Sequence, residues 1–339
     1  MLGRLSDFIK TFRLEQILVV YSVLLFGVFA SSHTPNWSDY LVLALLSVSG
    51  HIFGYGLNDL IDQPYDRFKA MHRKRRATIH KSFNRTGLLT ITLLQIPVIL
   101  FIWYLAYGFG ESSVFVALAL LSVAIYDLFG KTWGRLVLIP HFFFPLSLVF
   151  LCLGGYTLFD PVAGIRLPFL LLLATLFLNS ILANSIQAGL YDLKGDQEAG
   201  VTTVAILTGS GASGEYLRIN RNTRIAGYTL FLMNIPVIIA QAVLNGLDFW
   251  IYGIMLSFFL FAYIHLANLL RIKKNRTMLR YDVIGSSAYV FYAASLAWIH
   301  NLPWLWWFII VFQFLYPFIR NHPAIFGRWT LIEFVKGRG

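Results

Sequence analysis

The chain has few charged residues. Only 13% of its 339 residues are Asp, Glu, Lys or Arg, whereas 58% are hydrophobic. Soluble globular domains carry about 25% charged residues, so this composition excludes a soluble globular protein. Apolar runs of about 20 residues, the length that crosses a bilayer, recur from one end to the other. The sequence therefore predicts an all-α integral membrane protein.

Cysteine is almost absent as well. The one cysteine, Cys152, lies in an apolar run, so an intrachain disulfide is excluded and a buried packing role is expected. No cleavable signal or transit peptide is evident before the first apolar run. Together with short loops, this favours a bacterial or archaeal plasma membrane as the location of the protein.

Ten apolar runs are predicted to be membrane spans. They lie at about 14–31, 39–57, 87–108, 112–129, 136–158, 168–190, 224–244, 249–271, 283–299 and 303–319. The last two are so close together that they form either a hairpin of spans or one span followed by an interfacial helix. We predict a single polytopic domain over 1–339, with halves of a weak repeat at about 14–130 and 136–271 and additional C-terminal helices at about 283–319.

Basic residues are scarce on one side of this predicted topology. With the N-terminus in the cytoplasm, 26 of the 27 Lys and Arg residues fall on the inner side, and only Arg166 falls outside. This segregation follows the positive-inside rule. The net charge of +11 is then explained by topology and by anionic lipid headgroups, and no nucleic-acid partner is predicted. Because the inner loops are also the long ones, function is expected on the cytoplasmic side.

Acidic residues are rare but concentrated in two clusters. The first cluster, at 58–66, reads NDLIDQPYD, and the second, at 191–198, reads YDLKGDQE. Each follows the second span of its half of the repeat, so both emerge on the cytoplasmic side. Carboxylates at such depth are costly unless they pair with cations, bind a metal or meet water. Pairing with nearby Arg and Lys is the alternative, and two clusters at matching positions disfavour it.

The spacing within each cluster favours one helical face. Asn58, Asp62 and Asp66 lie four residues apart, as do Asp192 and Asp196, and residues four apart are neighbours on a helix. Magnesium prefers hard oxygen ligands and shares its coordination sphere with waters and phosphates. The two clusters therefore predict a site for Mg²⁺ and a polyanion.

Other polar residues near the same side are weaker candidates. Tyr126 and Lys131, in the sequence YDLFGK, could bind phosphate oxygens or assist a leaving group, although an ordinary interfacial pair is the simpler interpretation. Arg13, before the first span, has a similar ambiguity. Asn184, Gln187 and His51 lie within spans, where interhelical hydrogen bonding is the favoured role. Asn184 shares a helical face with Asp192 and could extend the site inward.

Two further local predictions concern the segment after the second cluster. Residues 200–207 are predicted to contain a short helix capped by a threonine, and 209–215, GSGASGE, to be a flexible linker.

These motifs resemble those of the UbiA superfamily of intramembrane prenyltransferases. The first cluster is similar to the family's Asn-Asp-x-x-Asp-x-x-x-Asp pattern, and Asp192 and Asp196 to its Asp-x-x-x-Asp pattern. Residues 200–203 and Gly209 also resemble the family. Tyr126 and Lys131 resemble its Tyr-x-x-x-Lys element with one extra residue, and Arg13 its arginine at the first helix.

The resemblance implies a UbiA-like bundle of nine to ten transmembrane helices around a central cavity. It implies Mg²⁺-dependent transfer of a polyprenyl group from a polyprenyl diphosphate to an aromatic or lipid-like acceptor within the membrane. The residues that it implies as metal ligands are Asp62, Asp66, Asp192 and Asp196, supported by Asn58 and Asp59. Contacts to diphosphate are implied for Arg13, Lys131 and one of the basic residues 73–76, represented by Arg73.

Three features depart from the family pattern. The chain has ten predicted spans where nine are usual, Ala77 and Thr78 follow Arg76 where an Arg-Pro pair is usual, and the loop 209–223 is long. The acceptor therefore stays open. The alternatives are a terpene cyclase of the same superfamily, which needs no separate acceptor, and a transporter of a lipid-like anion. Transporter sites lie near the membrane midplane, whereas these acids lie at the cytoplasmic ends of the spans.

Overall fold

The computed structural model describes residues 8, 12–13, 17–66, 84–130, 138–214, 216–273, 279–304, 306–309 and 311. Within these ranges the chain is almost entirely helical. The helices are α1 (Ile17–Ala30), α2 (Trp37–Asp66), α3 (Arg85–Tyr107), α4 (Glu111–Phe129), α5 (Leu138–Tyr156), α6 (Leu167–Ile181), α7 (Gly189–Glu198), α8 (Val204–Leu207), α9 (Arg221–Leu244), α10 (Phe249–Arg271) and α11 (Leu279–Leu296). A π-helical segment (Leu182–Ala188) joins α6 to α7, a short 3₁₀ turn covers Val162–Gly164, and the strands are β1 (Gly211–Ser213) and β2 (Tyr216–Arg218).

Seven helices in the described ranges are long and apolar enough to cross a membrane. They are α2, α3, α4, α5, the continuous helix Leu167–Glu198, α9 and α10. The predicted integral membrane protein is confirmed. Helix α1 is apolar but shorter, and α11 has 18 residues. The predicted count of nine to ten spans stays a prediction.

The helices pack as neighbouring antiparallel pairs, with α4 against α5, α10 against α11, and α2 against α3. Long-range contacts join α1 to α5 and α6 to α9. Two glycines permit the closest of these approaches. A Cβ on Gly27 would overlap the carbonyl oxygen of Cys152, and one on Gly155 would overlap the carbonyl oxygen of Leu24. Small residues let transmembrane helices approach to backbone contact, so the α1–α5 crossing depends on both glycines. Cys152 is fully buried in this interface, as predicted.

Both aspartate clusters lie on helices that extend beyond the apolar spans. Helix α2 continues through Pro64 and ends at Asp66, so the whole first cluster is helical. The second cluster lies on α7, the last part of the continuous helix Leu167–Glu198. The backbone N–H and C=O groups of a helix hydrogen-bond to one another. The carboxylates of each cluster therefore project from a regular helix at the spacing that the sequence predicts.

The prediction that 209–215 is a flexible linker is wrong, because part of this segment is paired in a hairpin. Strands β1 and β2 pair as an antiparallel hairpin, with Ala212 opposite Leu217. The amide of Ala212 donates to Gln197 Oε1 at 2.7 Å, and the amide of Leu217 donates to the carbonyl of Lys273 at 3.0 Å. The hairpin therefore connects the end of α7 to the chain after α10. The predicted threonine cap is confirmed, because Thr203 accepts a hydrogen bond from the amide of Ile206 at the start of α8.

Candidate functional site

A cavity of about 390 Å³ lies among α1, α2, α3, α4, α5 and the helix that carries the second cluster. Polar side chains line the end of the cavity that the two clusters share. They include Arg13, Asn58, Asp62, Tyr126, Asp192 and Asp196. The remaining wall is mostly apolar, with residues such as Leu46, Ile99 and Val116. The two clusters, far apart in sequence, thus line one cavity.

The first cluster contributes Asn58 and Asp62 to the cavity wall, where Asp62 is only 7% exposed. The Nδ2 of Asn58 donates to Asp127 Oδ1 on α4 at 3.3 Å. Asp127 also lines the cavity and is 7% exposed. Asp127 is not among the site residues predicted from the sequence, although it lies inside the YDLFGK sequence. The sequence feature that could have identified Asp127 as a site residue is its position directly beside Tyr126, at the inner end of a predicted span.

The second cluster contributes Asp192 and Asp196, which are one helical turn apart on α7. Asp196 is 3% exposed. Helices α2 and α7 are in contact, so carboxylates from both clusters lie on either side of the same space. Four carboxylates, from Asp62, Asp127, Asp192 and Asp196, therefore line one end of the cavity within the described ranges.

Arg13 brings a positive charge to this acidic end. Its Nη2 lies 3.6 Å from Asp59 Oδ1, and its guanidinium carbon lies 4.7 Å from the centre of the Tyr55 ring. Its carbonyl oxygen lies 3.0 Å from His51 Nε2. His51, Tyr55 and Asp59 are spaced by four residues along α2, so a single stripe of that helix holds Arg13. Asp59 thus contacts Arg13 from behind the cavity wall.

Tyr126 and Asn184 form a pair across the cavity wall. The Tyr126 hydroxyl lies within 3.2 Å of Asn184 Oδ1 and 3.0 Å of its Nδ2. The Tyr126 ring packs against Phe144 and His141, with ring centres 5.4 and 5.7 Å away. The contact with Tyr126 is the interhelical hydrogen bond favoured for Asn184 from the sequence, and Asn184 also lines the cavity. The structure also adds His141, a cavity residue 3.3 Å from Ser185 Oγ, which no sequence motif identified.

Gln187 makes interhelical contacts, as predicted, whereas His51 contacts the chain before α1. Gln187 is fully buried and hydrogen-bonds to Ser286 and Ser287 of α11. His51 contacts the backbone of Arg13 and also lines the cavity.

Three predicted site residues fall outside what the structure describes. They are Lys131, Arg73 and the side chain of Asp66, which ends α2. Their predicted roles stay predictions.

The donor set at the acidic end fits Mg²⁺ bound together with a phosphate ligand. In the described part of the chain, no group of three or more Asp, Glu, His or Cys side chains converges as a ready cage for a metal ion. Magnesium is usually held by one or two carboxylates plus waters and substrate phosphates, and does not require an all-protein cage. Carboxylates facing one space from two helices suit that mode of binding.

A bundle of membrane-spanning helices that brings acidic residues to one end of an apolar cavity defines a class of protein. It is an integral membrane protein whose site combines an acidic end with a mostly apolar wall. A family model narrows this class: the UbiA prenyltransferase family matches residues 19–282 of the 339. The chain belongs to the UbiA prenyltransferase family, and its members are prenyltransferases.

Solved structures with the same fold are distant in sequence. An apo UbiA homologue from Aeropyrum pernix K1 aligns with a TM-score of 0.61 at 14% identity, over 85% of this chain and 98% of the other. A UbiA homologue from Archaeoglobus fulgidus bound to GPP and Mg²⁺ aligns with a TM-score of 0.56 at 13% identity, over 86% and 99%. A digeranylgeranylglyceryl phosphate synthase aligns with a TM-score of 0.55 at 14% identity, over 92% and 97%. No curated protein matches the sequence.

Proposed function

We propose that this protein transfers a polyprenyl group from a polyprenyl diphosphate to an aromatic or lipid-like acceptor inside the membrane, with Mg²⁺ as cofactor. The observation that carries the proposal is the sharing of one cavity by both aspartate clusters, with an apolar wall beyond them. A charged head and a hydrocarbon tail would each meet a matching part of this cavity. The structural relative bound to GPP and Mg²⁺ supports the same donor class.

The acidic end would hold the cofactor and the head of the donor. Asp62, Asp192 and Asp196 would bind Mg²⁺, together with Asp66. When bound, Mg²⁺ neutralises charge on the diphosphate and makes it a better leaving group. Arg13 would donate hydrogen bonds to diphosphate oxygens from the position fixed by α2, and Lys131 and Arg73 would add positive charge nearby. Asn58 would orient the head while its amide holds Asp127.

The aromatic part of the cavity wall would stabilise the cation that forms when the donor loses diphosphate. The bond between C1 of the donor and the diphosphate oxygen breaks, which leaves an allylic cation and diphosphate. The rings of Tyr126 and Phe144 line the cavity beside the acidic end and would stabilise the cation by cation–π attraction. A carbon or hydroxyl oxygen of the acceptor attacks C1, and the proton that it loses passes to diphosphate or a cavity carboxylate.

The finer topology belongs to the same proposal. Helices α1 and α11 would cross the membrane beside the seven long helices, which gives nine spans around a central cavity. The apolar run predicted at about 303–319 would be either a tenth span or an interfacial helix. The whole chain, 1–339, would form one domain with repeat halves at about 14–130 and 136–271 and C-terminal helices at about 283–319. Its acidic end would face the cytoplasm of a bacterial or archaeal cell.

The test is diphosphate release by the purified protein in detergent. Radiolabelled farnesyl and geranylgeranyl diphosphates would be supplied with Mg²⁺ or EDTA, with and without a panel of aromatic and lipid acceptors. The variants are Asp62→Ala and Asp192→Ala. Asp248→Ala is the matched control, because Asp248 is exposed at the start of α10 and is not among the residues that line the cavity.

We expect Mg²⁺-dependent release that requires an acceptor, falls at least about a hundredfold in both cavity variants, and is unchanged in the control. Release without any acceptor would assign a terpene cyclase instead. Binding of the diphosphates with no turnover under any condition would contradict the enzyme and favour the transporter.

A further inference from the structure

The cavity is long and runs along α2. Its wall includes α2 residues from Leu46 to Asp62. At 1.5 Å per residue, these 16 steps correspond to about 24 Å. Helix α4 lines a shorter stretch beside it, from Val116 to Asp127, which is about 16 Å. The carboxylates are all near one end. We call the rest of the cavity, from Asn58 to Leu46 along α2, the lane; its wall is mostly apolar, with Ser47 and His51 among the polar α2 residues that line it.

Buried side chains line the end of the cavity opposite the carboxylates. Trp103 of α3 lines the cavity and is only 1% exposed. Its Nε1 donates to Ser112 Oγ of α4 at 3.2 Å, and its ring packs edge-on against Tyr107. A large ring held by a hydrogen bond at one edge and a packed ring at another cannot swing aside readily. Ile99 and Val116 fill the space around it and are buried.

A glycine lies about two thirds of the way along this lane from Asn58 to Leu46. Gly50 lines the cavity, and a Cβ added there would meet no atom within 4 Å. It lies two helical turns from Asn58, which is about 12 Å. The absence of a side chain at this position keeps the lane open, and any larger residue would enter it.

We propose that this lane measures the donor, with Trp103 as its floor, and that it accepts polyprenyl tails of up to about four isoprene units. This inference rests on the proposed function. From Asn58, beside the head, to Leu46, at the floor, α2 rises about 18 Å. An isoprene unit adds four backbone carbons, or about 5 Å when extended with carbon–carbon bonds near 1.5 Å. Burial of each added methylene is favourable until the tail reaches Trp103. A longer tail must bend out of the lane.

The experiment compares donors of two, three, four and eight isoprene units, all as diphosphates with Mg²⁺. Two readouts are needed: kcat/KM for diphosphate release, and direct binding by calorimetry without acceptor. The variants are Gly50→Phe, which fills the lane, and Trp103→Ala, which removes the floor. Trp103→Phe keeps a ring at the floor. Gly253→Phe is the matched control, because Gly253 is an exposed glycine in α10 whose added Cβ also meets no atom within 4 Å.

We expect the wild type to prefer three or four units and to use the eight-unit donor at least about tenfold less well. Gly50→Phe should lose the longer donors while it keeps the two-unit donor. Trp103→Ala should improve the four-unit donor relative to the three-unit donor, and both Trp103→Phe and Gly253→Phe should keep the wild-type order. Equal use of four and eight units, or a uniform loss for all donors in Gly50→Phe, would overturn the measuring lane while leaving the proposed function intact.

Absence of turnover with every donor would defeat the proposed function, and the order of binding affinities would still test the measuring lane. Should Trp103→Ala fail to fold, the donor order of Gly50→Phe is sufficient to support or overturn the lane, since replacing a mid-helix glycine does not lower helix propensity.

Discussion

Arg13 is a residue whose position is fixed against its own conformational preference. Its φ of 49° lies in the left-handed region, which costs about 1–3 kcal/mol for a residue other than glycine. The contacts with His51, Tyr55 and Asp59 hold it there. Such strain is retained where the surroundings impose it. Here the result is an Arg13 that lines the cavity while its guanidinium contacts Asp59 and the ring of Tyr55.

This arrangement predicts that Asp59 acts through Arg13. Asp59→Ala and Arg13→Ala should each raise KM for the donor about tenfold, because a factor of ten corresponds to about 1.4 kcal/mol of lost binding. The KM of the double variant should be no more than about threefold higher than that of Arg13→Ala alone, since the free-energy effects of substituting two residues in contact are not additive. The measurement is a double-mutant cycle on steady-state kinetics.

Asp160→Ala is the control for this cycle. Asp160 accepts hydrogen bonds from the amide and hydroxyl of Ser32, away from the cavity. Its loss should leave KM unchanged. A fully additive double variant, about a hundredfold worse than wild type, would mean that Asp59 acts on the donor or the metal independently of Arg13.

At the scale of elements, the π segment connects the site to the last described helix. Residues Leu182–Ala188 form one wide stretch within an otherwise α-helical span. Such stretches occur frequently at functional sites because they alter which side chains face inward. Asn184, from this stretch, reaches the cavity, while Gln187 points to Ser286 and Ser287 of α11. Two polar contacts thus fix the segment that precedes the second aspartate cluster.

We predict that Gln187 positions the site. Gln187→Leu removes both contacts, and interhelical hydrogen bonds in membranes contribute about 0.6–2 kcal/mol each. Thermal stability should fall by a few degrees, and kcat should fall about tenfold because Asn184 and Asp192 shift. Restoring an amide one carbon shorter, as Gln187→Asn, should recover part of kcat. Stability is measured by thermal unfolding in detergent and kcat by donor-saturated turnover.

Gln241→Leu is the matched control for this prediction. Gln241 of α9 is also fully buried and joins α9 to α6 and to the turn after α11, since it donates to Thr175 Oγ1 and accepts from Trp298 Nε1. It is not among the residues that line the cavity. It should lose similar stability with kcat unchanged. Equal loss of kcat in both variants would mean that Gln187 contributes only to folding.

Most of the long helices and the arrangement of each cluster on one helical face were predictable from the sequence. Long apolar runs and the four-residue spacing of Asn58, Asp62, Asp192 and Asp196 depend on local composition and helical period, which a sequence carries directly. The hairpin was missed because strands of three residues show no pattern, and its stability comes from contacts with Gln197 and Lys273. The π segment and the contact of Asn58 with Asp127 depend on tertiary packing, which local pattern does not encode.

At the scale of the whole molecule, the distribution of charge and the length of one helix predict how the protein is oriented in the membrane. The continuous helix Leu167–Glu198 has 32 residues, which at 1.5 Å per residue is about 48 Å. Arg166 stands before its first residue, while the aspartates and the hairpin lie at its other end. Such a helix is long enough to cross the hydrocarbon layer of a bilayer, which is about 30 Å thick. We therefore expect its two ends to face opposite sides of the membrane.

The segregation of basic residues predicts that the end of this helix with the aspartates faces the cytoplasm. Because the chain has a single cysteine, this orientation can be measured by labelling introduced cysteines. Ala163→Cys and Ser213→Cys introduce exposed thiols at the two ends, while Cys152 is buried and serves as the unlabelled background in the unsubstituted chain. A membrane-impermeant maleimide applied to intact expressing cells should label Ala163→Cys immediately. It should label Ser213→Cys only after permeabilisation, because the hairpin and the adjacent Asp196 would lie in the cytoplasm. The reverse pattern would put the diphosphate site on the outer surface, where a cytoplasmic prenyl diphosphate could not reach it directly.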